Sequence, residues 1–277
     1  MRGSVTPARV RVLDDEREST RDDVLATEEP LEIRLAAAGV TRTVAITMRT
    51  PGADFELAVG FLHTEGVLDG HASVRRVAYC VEAGDQQYNV VTVHLATDRL
   101  PDLGSLERHG TVSSACGVCG KASLEALQSR GVAPLPAGPV LAREMLYSLP
   151  DALRAAQGTF SRTGGLHAAG LFLAADGSAL VVREDVGRHN AVDKVVGWAL
   201  LKDRLADLSR SVLVVSGRAG FEIVQKAAAA RIPIVCAVSA PSSLAVATAH
   251  EFGLTLVGFL RGRRANIYAG AERCTTP

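Results

Sequence analysis

Two cysteines three positions apart, Cys116 and Cys119, sit in the stretch TVSSACGVCG (111–120), which is small, glycine-rich and without a periodic apolar face. A Cys-x-x-Cys pair supports three chemistries. It can be half of a structural zinc site, which needs a second cysteine pair or paired histidines; Cys80, Cys236 and Cys274 are single and far apart in sequence. It can exchange disulfides, but that motif normally opens a helix directly after a core strand, and Thr111 to Ala115 is polar and small. It can also carry sulfur. A thiolate on an exposed loop attacks a donor persulfide, holds the outer sulfur as Cys-S-SH and passes it on. A cation such as Lys121 favours the thiolate, and the second cysteine can protect or release the first through a transient disulfide. Spacing alone leaves the three open.

A second set of candidates lies in three loops. Ser216-Gly217-Arg218-Ala219-Gly220, Ser239-Ala240-Pro241-Ser242-Ser243 and Arg261-Gly262-Arg263-Arg264 each follow an apolar run. Small residues let a backbone approach an anion, serine hydroxyls donate, and arginines offer two-pronged donors. The spacing matches neither a Walker loop nor GxGxxG. Gly and Ser are also ordinary turn residues, so the claim rests on all three loops sharing one sheet edge. The segment REDVGRHNAVDK (183–194) is dense in polar groups. A helix would put His189 and Asp193 on one face. That face is either the polar wall of a ligand pocket, or Asn190 caps a helix beside a solvated turn. The other histidines are scattered and read as structural or exposed.

The elements that must position these residues follow from periodicity. Residues 1–29 are charged, with eight acids and two arginines between Asp14 and Glu29, and read as a flexible arm. Residues 30–110 read as a small, strand-rich α+β unit. Its strands run through Leu31, Ile33 and Leu35, then Val44, Ile46 and Met48, and later Val74 to Val81 and Asn89 to Leu95. A helix between Gly52 and Leu68 has Asp54 as a possible cap. Residues 111–139 form a mobile Cys-x-x-Cys loop and linker. Residues 140–277 read as a layered α/β/α domain with a mostly parallel sheet. Asp176-Gly177 there signals a hairpin between 166–174 and 178–182. Strands at 211–215, 234–238 and 254–260 alternate with helices at 190–202, 221–230 and 244–250.

Composition bounds the partners. A chain of 277 residues, 47% hydrophobic, can bury about three quarters of its unfolded surface without a disulfide or metal staple. Thirty cations balance 30 acids, which argues against a nucleic-acid wrapper. All but four of those cations are arginines, a coding bias or a bias toward phosphate and carboxylate recognition. Five cysteines suit a reducing compartment, and no apolar run approaches the ~20 residues of a membrane helix. The expectation is a soluble cytoplasmic protein that holds no metal itself.

Several long segments resemble one known family. SSACGVCGKASLEAL, TGGLHAAGL, REDVGRHNAVDKVVGWAL, VSGRAGFEIVQKAAAARIPI, APSSLAVATAHEFGLTLVGFLRGRRANIY and ITMRTPGADFELAVGFLHTEGV are similar to the formate dehydrogenase accessory family (FdhD/NarQ type), from about Pro30 to Gly270. The resemblance implies a sulfurtransferase. Its members accept a persulfide sulfur from a cysteine desulfurase and deliver it to the molybdenum bis(molybdopterin guanine dinucleotide) cofactor of formate dehydrogenase. On this chain it implies that Cys116 bears the persulfide, with Cys119 as its partner. The guanine nucleotide part of the cofactor would then be bound by Phe259, Leu260, Arg261, Gly262, Arg263 and Arg264. It also implies a homodimer and a cytidine-deaminase-like C-terminal fold. The HxE…PCxxC zinc signature of deaminases is absent, so their chemistry is not carried over. The rival reading is a non-catalytic cofactor chaperone with redox-active cysteines.

Overall fold

A computed structural model describes residues 3–80, 88–103 and 131–275, together with Glu125, Leu127 and Gln128. Cys116, Cys119 and the rest of the glycine-rich stretch around them lie outside the described residues.

The chain opens with a two-stranded ribbon, β1 (Val5–Asp14) and β2 (Arg17–Ala26), paired antiparallel along its whole length. An arm without periodic structure was the expectation. In β1 Ala8, Val10 and Val12 are half-buried between exposed Arg9 and Arg11, but β2 is mostly exposed and carries no apolar alternation, so charge density masks the strand period. Cross-strand charge pairs hold the ribbon: Arg9 lies opposite Asp22 and Asp14 opposite Arg17, and Arg11 reaches Glu18 at 3.0 Å.

The small unit is a four-stranded sheet, β3 (Glu29–Ala37), β4 (Val40–Arg49), β5 (Val74–Tyr79) and β6 (Val90–Leu95), in the order β4-β3-β6-β5. Helix α1 (Asp54–Thr64) packs Leu57, Ala58, Phe61 and Leu62 against Leu31, Ile33 and Val91. In β4 the expected alternation breaks. Val44 and Ala45 are both buried while Ile46 and Met48 are exposed. The register slips between Ile33 and Arg34 of the partner strand, and this bulge turns the rest of β4 over. Asp54 does not cap α1. That position belongs to Ala53, in the left-handed region at φ 55°, and the Asp54 carboxylate accepts from Gly52 N–H at 3.1 Å and pairs with Arg49 at 3.0 Å.

The C-terminal unit contains β7 (Leu141–Ala142), α2 (Arg143–Ala155), α3 (Gly158–Thr163), β8 (His167–Leu173), β9 (Ala179–Asp185), α4 (Arg188–Leu201), α5 (Leu205–Leu208) and β10 (Ser211–Val215). It continues with α6 (Phe221–Ala229), β11 (Ile234–Ala237), α7 (Ser243–Glu251), β12 (Thr255–Arg261), β13 (Arg264–Ala269) and β14 (Cys274–Thr275). The main sheet runs β13-β12-β11-β10-β8-β9. Its middle, β10 to β12, is parallel, as the strand–helix alternation requires. The flanks are antiparallel hairpins, so the sheet is mixed rather than mostly parallel. Leu146, Leu149 and Leu153 of α2 cover one face. Val195 of α4, Ile223 of α6 and Ala245 of α7 cover the other, giving the α/β/α layering. The expected linker is packed where it is described: Leu135 N–H donates to Phe252 O at 2.9 Å, and Arg273 donates to Pro136 O at 2.8 Å. No described helix is long and apolar enough to cross a membrane.

Candidate functional site

Parallel strands leave their carboxyl ends, and the helix starts that follow, on one edge of the sheet, where ligands collect. The three loops meet there. Ala219 N–H donates to Ala240 O at 3.2 Å, Ser242 N–H to Ala219 O at 3.1 Å, and Phe259 N–H to Ser239 O at 3.1 Å. A cavity of 730 Å³ opens at this edge, within the range of nucleotide-sized sites. Its floor is Ser216, Val238, Leu260 and Arg261 from the strand ends, with His167 from the start of β8. Its outer wall is Asp151 and Arg154 of α2, then Gln157 and Phe160. The Arg154 guanidinium lies over the Phe160 ring at 4.2 Å, a flat cationic surface.

The six residues expected to hold the cofactor are split by the hairpin they occupy. The third loop is a tight turn, with Arg261 opposite Arg264 and Gly262 at φ 52°, so it does not lead into a helix. Leu260, Arg261 and Gly262 line the cavity. Arg261 is anchored there by Nε, which donates to Val238 O at 3.1 Å. Phe259 is 39% exposed with φ 51°. Arg263 turns to α2, where both its terminal nitrogens reach Glu144, at 2.6 and 2.7 Å, and its guanidinium lies over Tyr147. That salt bridge holds the Glu144 carboxyl below its ordinary range. Arg264 is exposed and does not line the cavity.

Ser216 serves both fold and cavity, since its hydroxyl accepts from Ala168 N–H at 2.8 Å. Ser242 caps α7, accepting from Ala245 N–H at 3.2 Å.

In the polar run 183–194 Asn190 does not cap the helix, and His189, Asn190 and Asp193 line a second cavity of 200 Å³. The run forms a buried knot between the halves of the molecule. Asp185 pairs with Lys194 at 2.6 Å and accepts from Thr50 N–H, Gly187 N–H and Asn190. Asn190 lies inside α4 and donates to Met48 O at 2.7 Å. Asp193 pairs with Lys226 at 2.8 Å and accepts from Thr64 at 2.9 Å. Burial works against the Lys226 ammonium, but the carboxylates of Asp193 and Glu65 outweigh it and hold the group above the ordinary lysine range. His189 turns outward, to Glu222 at 2.8 Å, and Arg183 likewise, to Glu56.

His167, Arg154 and Phe160 are the site residues that sequence reasoning missed. His167 stands in TGGLHAAGL, and the only available signal was its place at the start of a strand next to the parallel core. Among the described residues, no group of three His, Cys, Asp or Glu is placed to hold a metal. Among the described cysteines, Cys236 and Cys274 are held as neutral thiols. Burial pushes Cys236 and Cys274 up, with Glu272 adding to the effect on Cys274, and Cys80 lies 3.9 Å from an Arg34 nitrogen.

Comparison with known proteins places this geometry. The model of the FdhD/NarQ family matches residues 26–275. A sulfur carrier protein FdhD from Streptomyces coelicolor is 56% identical over 261 residues, 92% of this chain and 90% of that one. The Mycobacterium tuberculosis protein of the same name is 52% identical over 274 residues, 96% and 97% of the two chains. A crystal structure from Desulfotalea psychrophila, assigned as a formate dehydrogenase accessory protein, superposes with a TM-score of 0.76 at 28% identity, covering 98% of this chain and 99% of that one. With the family model spanning nearly the whole chain and relatives sharing more than half its residues, this chain belongs to the FdhD/NarQ family.

Proposed function

We propose that this protein is a sulfurtransferase serving formate dehydrogenase. Cys116 takes sulfur from a cysteine desulfurase and passes it to the molybdenum bis(molybdopterin guanine dinucleotide) cofactor. The Cys116 thiolate attacks the outer sulfur of the donor's persulfide. The donor's S–S bond breaks, the donor leaves as a thiolate, and Cys116 holds the sulfur as a persulfide. Cys119, three positions on, releases the sulfur: its thiolate attacks Cys116 Sγ, the Cys116–S bond breaks, a Cys116–Cys119 disulfide forms, and the sulfur leaves as hydrosulfide for the cofactor, the two thiols having supplied its two electrons. The cofactor is cargo here, not a resident group.

The observation that carries the reading is the 730 Å³ cavity at the strand ends, floored by Arg261 and Ser216. It offers an arginine and a hydroxyl for a pyrophosphate, and the Arg154–Phe160 surface suits a flat base. Its volume fits one nucleotide arm of the cargo. The name sulfur carrier on its relatives and the unreactive settings of Cys236 and Cys274 support Cys116 as the carrier.

The test is intact-protein mass spectrometry after incubation with a cysteine desulfurase and cysteine. A sulfur-sized increment mapped to Cys116, absent in Cys116→Ala, is expected. A protein that binds the nucleotide but never gains that mass is the chaperone of the rival reading.

A further inference from the structure

His167 lines the cavity, and cations that do not themselves line it gather behind its ring. The His167 ring packs on the backbone of Gly217, so closely that a Cβ there would lie 3.2 Å from Nδ1. His167 lies opposite Asp185 across β8 and β9, and Asp185 holds the Gly187 N–H at 2.8 Å, which brings Arg188 and His189, the first two residues of α4, to the ring; Arg218 follows Gly217, on which the ring packs. Burial, then the charges of Arg188, His189 and Arg218, hold the imidazole below its ordinary range, against Asp185. The ion pair of His189 with Glu222 ties the first turn of α4 to that of α6. Both helices begin at a glycine, Gly187 and Gly220, with no side-chain cap.

Negative charge is short at this spot. Glu222 is taken by His189, and Asp185 is consumed by Lys194, Asn190 and two backbone N–H groups. Arg188 and Arg218 form no ion pair among the described residues, and Arg188 Nε is shielded from water without an acceptor. Gathering cations around a half-buried histidine costs free energy unless an anion completes the set.

We infer that His167, Arg188, Arg218 and the uncapped start of α4 form a receptor for a small, singly charged sulfur anion, the outer sulfur of a persulfide or hydrosulfide itself. This rests on the sulfur-carrier reading above and adds where the sulfur is received. A phosphate dianion is strongly hydrated and suits the exposed Arg261. Desolvation cost climbs steeply with charge, so a half-buried histidine beside a shielded guanidinium nitrogen selects a monoanion. His167 and Ser216 line the cavity as well, so sulfur held here lies beside whatever the cavity holds.

The test uses the full-length chain with Cys116→Ser and Cys119→Ser, which removes covalent sulfur chemistry, and isotope-labelled histidine observed by NMR. Hydrosulfide under anaerobic conditions is expected to move the His167 signal saturably and to raise its titration midpoint, because an anion favours the imidazolium. Pyrophosphate is expected to act on that signal at least tenfold more weakly. Arg188→Gln and Arg218→Gln should each weaken hydrosulfide at least tenfold, while Arg261→Ala leaves it within twofold. Because Arg218 is an exposed loop residue, its variant folds even if Arg188→Gln does not. Unchanged hydrosulfide affinity in Arg218→Gln, or pyrophosphate acting more tightly at His167, overturns the receptor. Either result leaves the mass increment on Cys116 untouched, so failure here is distinct from failure of the sulfur-carrier reading.

Discussion

Gly60 of α1 and Gly197 of α4 meet backbone to backbone. A Cβ on Gly60 would lie 2.8 Å from Gly197 N and overlap Asp193 O, and a Cβ on Gly197 would lie 2.8 Å from Gly60 N and overlap Glu56 O. The neighbours are main-chain atoms that cannot swing aside. Gly60→Ala and Gly197→Ala are each expected to cost about 3 kcal/mol or more, read from urea midpoints. Gly158→Ala, where a Cβ meets nothing within 4 Å, should be close to neutral.

Lys226→Met strands the Asp193 carboxylate in the interior, with only Thr64 to bond it. The expected cost is about 3–5 kcal/mol. The sign of the pH effect follows from the raised value of Lys226. Its stabilisation is complete below the ordinary lysine value of 10.5 and is lost as pH rises through the higher folded value. Alkaline melting curves of wild type and variant should therefore converge at the top of the range.

The hydrogen bond from His189 holds the Glu222 carboxyl below its ordinary 4.5. A depressed carboxylate contributes above that ordinary value, and the contribution is lost as pH falls through the folded one. The difference in melting temperature between wild type and Glu222→Gln should be present at pH 6 and vanish in strong acid. The pair is half exposed, so the difference corresponds to about 1 kcal/mol or less.

Arg261 and Arg263 should respond oppositely to a nucleotide. Arg261→Ala is expected to weaken guanosine diphosphate at least tenfold in calorimetry, through loss of a charge-assisted donor in the cavity. Glu144→Ala frees Arg263 and should tighten the same ligand a few-fold, more at low salt. Equal affinities across the three proteins would remove the strand-end cavity as the nucleotide site.

The ribbon can be excised. Thr27 N–H donates to Ser4 O at 3.0 Å, so residues 5–26 leave from adjoining ends. Removal is expected to lower the melting temperature by no more than about 3 °C, since a lone two-stranded ribbon adds little stability.

The parallel core was legible because the segments 211–215, 234–237 and 255–258 are buried on both faces and alternate with helices. The meeting of the three loops followed from that topology, and so did the place of Arg261. Periodicity could not show that Gly262 folds the third loop into a hairpin that sends Arg263 to Glu144, because the partner is 119 positions away. Nor could it show that charged residues in 183–194 are interior. Composition codes Lys194 and Asp193 as solvated, and only tertiary pairing with Asp185 and Lys226 pays their desolvation. The ribbon was missed because the short alternation Ala8, Val10, Val12 of β1 is set among charges and β2 repeats none of it.

The knot at Asp185 has a consequence for how the molecule is made. Thr50 emerges from the ribosome long before its partners: its N–H waits for Asp185 and its carbonyl for Lys194. Phe61, at the end of the first helix, likewise meets the Lys226 ammonium only later. The small sheet is therefore finished by the second half of the chain, and a nascent polypeptide halted before residue 194 has neither a settled first half nor a cavity. Most of the cavity floor comes from residues 216–262, so the late segments that complete the knot also complete the cavity.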